Sequence, residues 1–333
     1  MNPNLPLPPV SVLVAARNEE DSILACLQSL AALTYPIDRL DICIGDDGST
    51  DGTAAIVSNF IRDKPHFRCQ KITGQLGQAR GKANVLAHLA RAARGQVFFV
   101  TDADVTVPSH WIETMLAAAA PNVGIITGVT VPRADGPWSA MQALDWAYAL
   151  YVVNRLAAYN IPVTTMGNNM AVTRSAYEST GGYENLPFSI TEDYQLFREV
   201  LARKYDFRQV YLPDAVAITI AMPTLQTWLQ QRKRWTYGAL QAQWYLRLLL
   251  FLPVVLLPLL GALAWANPSA AGLVWLGFMC VQMWVLSQAA RTLQQHKLLR
   301  WVWLYPFYHV FGACITLVYY YLPIPTVWKG RRY

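Results

Sequence analysis

Acidic residues are missing from the last third of the chain. All 21 aspartates and glutamates lie at or before Asp214, whereas ten of the 27 lysines and arginines follow it. Residues 1–214 therefore carry a formal charge of −4 and residues 215–333 carry +10, which together make the stated +6. Charge is scarce throughout, at 14% of residues, against roughly 25% in ordinary soluble domains. A nucleic-acid binder spreads basic residues over a polar face; here they sit beside long apolar runs, which suits anionic lipid and excludes nucleic acid as the partner. The five cysteines (Cys26, Cys43, Cys69, Cys280, Cys314) make no metal-ligand spacing and resemble the ordinary buried thiols of a reducing compartment.

Other absences concern motifs. The first apolar strand is followed by AARNEE (15–20) and not by a GxGxxG fingerprint, so a nicotinamide enzyme is not expected. In GQLGQARGK (74–82) Leu76 takes the first glycine position of a phosphate-binding P-loop, and Ala83 takes its hydroxyl position. Asp47, Ser49, Asp51 and Gly52 open like a calcium loop, but Ser58 stands where the bidentate glutamate belongs. The start, MNPNLPLPPV, has neither the basic nor the apolar region of a secretory signal. There is no internal repeat and no low-complexity segment.

Three apolar runs are present, at 246–266, 271–290 and 301–322. Each has about 20 residues, enough for a helix to span the roughly 30 Å hydrocarbon core. Trp244, Tyr245, Trp265, Trp301 and Trp303 cluster at their ends, as interfacial aromatics do. Before them, residues 10–215 alternate two patterns. The segments 10–16, 41–47, 67–72, 96–104 and 123–131 are short, rich in β-branched or aromatic residues and mostly apolar, like strands buried on both faces of a parallel sheet. Residues 19–33, 53–61, 81–94 and 108–120 have helical patterns, with Pro108 suited to a first helical position. The alternation predicts a doubly wound α/β domain.

Four polar clusters interrupt this pattern. DDGSTDGT (46–53) stands where a buried strand hands over to a helix, the position at which ligands bind in open α/β sheets. TDAD (101–104) ends another strand. Asp102 and Asp104, two apart on an extended chain, point to one side and offer hard oxygens to Mg2+ or Mn2+ shared with substrate phosphates. In SITEDYQLF (189–197) Thr191 is placed to cap a helix and Asp193 to act as a general base. In QQRKRW (230–235) Arg232 and Lys233 read as headgroup anchors. Gln231, Arg234 and Trp235 supply an amide, a phosphate-matching guanidinium and an aromatic face.

In this order the features resemble the family-2 glycosyltransferases, inverting enzymes of GT-A fold that use nucleotide-activated sugars. The resemblance covers about residues 10–235 and rests on DDGSTD (46–51), GKAN (81–84), TDAD (101–104), TED (191–193) and QRKRW (231–235). It implies an α/β, Rossmann-like nucleotide-diphospho-sugar transferase domain at 10–235, preceded by a tail at 1–9. An interfacial helix and a membrane region would follow at 236–333. It further implies that Glu19 and Asp47 contact the nucleobase and ribose, that Lys82 approaches the diphosphate, and that Asp102 and Asp104 face the diphosphate–metal unit, with Asp104 the direct ligand. Asp193 would be the base, and Gln231, Arg234 and Trp235 would line the acceptor and diphosphate side. The family often has a proline before the first-strand asparagine-glutamate pair; this chain has Ala15-Ala16-Arg17-Asn18-Glu19.

The ending WKGRRY (328–333) resembles lipid-directed relatives such as ceramide glucosyltransferases. The expected substrates are therefore a UDP-sugar and a lipid or lipid-linked glycan acceptor, entering beside the 138–151 segment and the 231–244 helix. A processive polysaccharide synthase of the same family is the alternative, although such enzymes generally carry more membrane helices. A glycoside hydrolase also pairs carboxylates but needs neither a metal-like TDAD nor a basic diphosphate clamp. An inactive envelope export subunit would not need every polar position intact. The expected location is the cell membrane, multi-pass, with the catalytic part cytoplasmic. RTLQQHKLLR (291–300) suits the inside. The run 301–322, interrupted by Pro306, is expected to bend back without crossing and to leave the tail on the same side.

Overall fold

A computed structural model describes residues 7–241, 244–325, 327–328 and 331–332. The chain forms two compact units, one of residues up to 130 plus 153–220, the other of residues 131–152 plus 221 onward.

The first unit is built on a seven-stranded sheet. Its strands come from β1 (Val10–Ala16), β2 (Leu40–Asp46), β3 (Phe67–Lys71), β4 (Val97–Asp102) and β5 (Val123–Thr127). After the short β6 (Val129–Pro132) come β7 (Asn169–Thr173) and β8 (Asp206–Gln209). The order is β3-β2-β1-β4-β7-β5-β8. Strand period two divides the core between the sheet's faces. Val10, Val12 and Val14 pack with Ile23 and Leu27 of α1 (Ile23–Ala31), Val57 of α2 (Thr53–Ile61) and Trp111 of α4 (Trp111–Leu116). Leu13 faces the other way, toward Val85 and Leu89 of α3 (Lys82–Ala92), Ala176 and Tyr177 of α6 (Arg174–Ser179), and Leu196 and Phe197 of α7 (Glu192–Ala202). The doubly wound expectation holds.

The all-parallel expectation does not, because β7 runs antiparallel to both β4 and β5. Its sequence NMAVT has no lead-in pattern, and its place is secured by a buried side chain. Asn169 donates to the carbonyls of Val129 (2.8 Å) and Ala215 (2.9 Å) and accepts from the Trp111 indole (2.9 Å). The expected strand 123–131 breaks at Gly128, where a Cβ would run into the Asn169 side chain. The helix expected at 108–120 is only 111–116 long. Pro108 heads a turn whose carbonyl accepts from the Trp111 amide, instead of opening the helix.

The second unit is helical, with α8 (Leu225–Leu240), α9 (Trp244–Ala266), α10 (Pro268–Thr292) and α11 (Tyr305–Tyr321), together with residues 137–152 of α5 (Pro137–Ala157). The first two apolar runs each fall within one helix. Asn267 caps α10 through the Ala270 amide, and Pro268 takes a first-turn position that requires no donor. The third run is not one helix. A 3-10 segment, His296–Trp301, precedes α11, which has 17 residues and a length of about 25 Å at ~1.5 Å per residue. By length and hydropathy one described helix, Pro268–Thr292, can cross a membrane, and Phe251–Ala266 is a shorter apolar stretch. Lys329, Gly330 and Tyr333 of the expected cytoplasmic tail lie outside the described residues, as do Ala242 and Gln243 of the expected 231–244 helix and the first six residues.

Candidate active site

Sheet register assembles the site. Ala16 pairs with Asp46, Ala15 with Asp102 and Thr101 with Asn169. The ends of β1, β2 and β4 and the start of β7 therefore share one edge. The segments leaving it are 17–20, 46–53, 102–104 and the turn around Gly167.

The first two of these segments are stitched together. Asp47 N donates to Ala16 O (2.9 Å), and Arg17 donates to the Asp47 carbonyl (2.6 Å) with its carboxylate 3.7 Å away. Asn18, held at φ 51°, accepts from the Thr50 amide (2.9 Å). The Glu20 carboxylate accepts from Gly52 N (2.7 Å). Glu19 N donates to the Thr53 hydroxyl (2.8 Å), and the Glu19 carboxylate accepts from Ser22 (3.0 Å). Asp51 accepts from both the hydroxyl and the amide of Thr53, which holds its carboxyl below the usual range and fastens the start of α2. Several acids of the cluster are thus turn-builders, and Glu19 and Asp47 are carried on that scaffold. Arg17, a partner of Asp47, escaped sequence reasoning because nothing in AARNEE marks it as a pair.

The second half of the site centres on Lys82, the first residue of α3. Gly81 before it has φ 56°, a conformation that suits glycine. The Lys82 ammonium lies 2.5 Å from Asp102 Oδ1 and 3.5 Å from Glu192 Oε1, and donates to Gly167 O at 3.0 Å. Burial favours the neutral amine, but the charges of Asp102 and Glu192 outweigh it and raise the Lys82 pKa. Asp193 completes the group, since its Oδ2 accepts from Gly167 N at 2.7 Å. The backbone of one glycine thereby joins Lys82 to Asp193, and a Cβ at Gly167 would meet the Asp193 side chain at about 2.7 to 2.9 Å. Thr191 holds the N-cap position of α7 without making the expected cap; its hydroxyl pairs with Ser189. Glu192 stands in the TED motif without a role of its own in the sequence, and Gly167 carries no signal in TTMGNNM.

Asp104 sits part-exposed on the turn two residues past Asp102. Among the described residues no three His, Cys, Asp or Glu side chains cluster as a metal cage. Two hard carboxylates on a turn fit a Mg2+ or Mn2+ whose shell is completed by substrate oxygens and water. Lys82 already compensates one of them.

Gln231, Arg234 and Trp235 belong to α8 in the second unit, and their spacing sets them on neighbouring positions of one helix face. Gln231 is buried and Arg234 half-buried. Trp235 packs edge-to-face on Trp146 at 5.0 Å. Arg232 is no headgroup anchor. It is ion-paired with Asp145 of α5 and flanked by the rings of Trp228 (5.0 Å) and Trp235 (5.1 Å). Trp138 stacks in the same region, edge-on to Trp228 at 5.8 Å, so the aromatics of 138–151 serve packing here.

A mixed sheet with carboxylates gathered at the carboxyl edge of its parallel strands is the architecture of the GT-A nucleotide-diphospho-sugar transferases. Residues 8–238 match the model of the glycosyltransferase-like family 2, and the chain belongs to that family. It is 28% identical over 244 residues to a beta-monoglucosyldiacylglycerol synthase of Synechocystis sp., covering 71% of this chain and 49% of that protein. It is 26% identical over 236 residues to a poly-beta-1,6-N-acetyl-D-glucosamine synthase of Staphylococcus epidermidis, covering 69% and 54%. The chain thus spans about half the length of these curated relatives. Among solved structures it is similar to a mannosyltransferase from Pyrobaculum calidifontis in complex with GDP-Man and Mn2+, with TM-score 0.58, 21% identity, and coverage of 93% of this chain and 87% of that one.

Proposed function

We propose that the chain is an inverting glycosyltransferase that moves a sugar from a UDP-sugar to a lipid or lipid-linked acceptor at the cytoplasmic face of the membrane. The observation that carries this reading is the cluster in which Gly167 joins Lys82, with its partners Asp102 and Glu192, to Asp193. A cation suited to a leaving diphosphate and a carboxylate with oxygen lone pairs left to accept a proton share the backbone of that glycine. Asp193 takes the proton of the acceptor hydroxyl while the acceptor oxygen bonds to the anomeric carbon and the bond to the diphosphate oxygen breaks. A single displacement inverts that centre. Lys82 faces the charge that builds on the departing diphosphate. A Mg2+ or Mn2+ held by Asp104, with Asp102 beside it, would supply further stabilisation of that charge. Glu19 and Asp47, on the stitched loops, suit the nucleoside. The roles of Gln231, Arg234 and Trp235 on the acceptor and diphosphate side rest on the family motif.

The lipid acceptor is supported by the basic, acid-free composition of residues 215–333 and by the diacylglycerol named in the Synechocystis relative. The test is incubation of the detergent-purified protein with a panel of nucleotide sugars and extracted lipids, followed by mass spectrometry. A single-sugar glycolipid formed only with a divalent cation is the expected product. A long polysaccharide would favour the processive alternative, and full activity in excess chelator, or in Asp104→Ala, would remove the metal.

A further inference from the structure

Near the Lys82 cluster the fold buries a hydroxyl and gives it nothing to bond. Tyr183 is 4% exposed, and among the described residues its Oη has no hydrogen-bond partner. Buried polar groups are nearly always paired, because a bare one forfeits its hydration without return. The side chain is not loosely held. The Tyr183 amide donates to the Tyr177 hydroxyl (3.1 Å), and the two rings meet edge-to-face at 5.7 Å. The next residue is fastened twice. The Glu184 carboxylate accepts from Arg91 of α3 (2.9 Å), and its carbonyl accepts from the Gln78 amide (2.8 Å). With the ring fixed, only rotation about the C–O bond is left to the hydroxyl, so a partner must come to it.

Glu192 is the group placed to do so. It stands in the first turn of α7 and, with Tyr183, Arg80 and Ala83, lines a small pocket beside the start of α3. Burial, and next the charge of Glu192, hold the Tyr183 pKa well above its ordinary value, so the phenol keeps its proton to donate. The Glu192 carboxylate, 16% exposed, lies 3.5 Å from the Lys82 ammonium. A diphosphate arriving at Lys82 competes for that ammonium and brings negative charge toward the carboxylate. Turning to the Tyr183 hydroxyl gives Glu192 a charge-assisted hydrogen bond and draws its charge away from the phosphate. We infer that Tyr183 is a positioning residue for donor binding, which takes the Glu192 carboxylate by hydrogen bond when a nucleoside diphosphate takes Lys82. The inference rests on the glycosyltransferase reading in assigning Lys82 to the diphosphate.

The test is calorimetric titration of the detergent-purified full chain with UDP and with GDP in buffer containing Mg2+, set beside thermal unfolding without nucleotide. Tyr183→Phe keeps the ring and removes only the hydroxyl. It should weaken binding of the preferred nucleotide about tenfold, as loss of a hydrogen bond to a charged group does. The unfolding midpoint should stay the same or rise, since a buried hydroxyl without a partner costs the fold its desolvation. A merely structural tyrosine would do the reverse, lowering the midpoint at full affinity, and would overturn the inference. In a Glu192→Gln background the same substitution should change affinity by less than about twofold, because the charge it answers is gone. An undiminished loss there would show that Tyr183 does not act through Glu192. Equal binding by Tyr183→Phe and the unsubstituted chain would overturn the inference alone. If the unsubstituted chain bound neither nucleotide, the inference would fall together with the reading on which it rests.

Discussion

Lys82 in the first unit and Arg232 in the second are each neutralised by an aspartate, and their surroundings give them opposite duties. Around Lys82 the side chains remain partly open: 26% exposed for the lysine and 31% for Asp102. Its partners are shared among Asp102, Glu192 and a backbone carbonyl, and a phosphate could replace any of them. Around Arg232 the pair is closed, 19% and 13% exposed, with tryptophan rings on both sides and Tyr305 bonded to the other carboxylate oxygen. Burial raises the cost of an unpaired charge, so the closed pair fastens helices, whereas the open one can exchange a protein partner for a ligand. Charge alone does not make a side chain available to a ligand; access does.

The contrast can be broken most sharply at Asp193. Asp193→Asn keeps an oxygen for the Gly167 amide but loses the base, so the transfer rate should fall by about 10²–10⁴-fold with donor binding nearly unchanged, as read by turnover and by calorimetric titration of the nucleotide sugar. Retained turnover would move the chemistry elsewhere. At the closed pair the loss should be in stability. Asp145→Ala leaves Arg232 buried without its counter-charge and should cost about 3–5 kcal/mol, measured as a lowered unfolding midpoint in detergent. Replacing both members, Asp145→Leu with Arg232→Met, should recover most of that loss; failure to recover would mean that the pair does more than join helices.

Smaller effects refine the open site. Glu192→Gln removes one of the two charges on Lys82 and should weaken donor binding several-fold while the thermal midpoint moves little. A large fall in stability with normal donor affinity would assign Glu192 to the fold. The smallest expected effect lies at the far end of the sheet. Burial alone would raise the Asp41 pKa, but hydrogen bonds from Arg68, Ser11 and the Arg94 amide prevail and lower it. A carboxyl whose folded pKa is depressed contributes stability above its unfolded pKa, near ~4, and loses it as the pH falls further. Asp41→Asn should therefore flatten the acid limb of the stability profile below about pH 4 and leave turnover at neutral pH unchanged; an unaltered limb would show that other carboxylates dominate it.

Much of the first unit was legible without coordinates. Alternation of buried strands and amphipathic helices is a local property, and period two and period 3.6 can be read from neighbours in the chain. Acids and glycines at the ends of β2 and β4 announced the edge of the sheet that carries the candidate site for the same reason. The apolar runs at 246–266 and 271–290 were likewise plain, because a long apolar run is itself a pattern of neighbours in the chain. Tertiary structure decided the rest. The antiparallel insertion of β7 depends on Asn169 finding carbonyl acceptors 40 and 46 positions away and a donor, the Trp111 indole, 58 positions away, and no local pattern encodes such a partner. Gly167 became the link between Lys82 and Asp193 only when three distant segments met. Arg232 and Lys233, alike in sequence, parted into a buried ion pair and a helix cap because one faces Asp145 and the other the carbonyls that end α11. Sequence periodicity determines which faces are apolar; what a charged side chain does depends on which distant group is brought within about 3 Å of it.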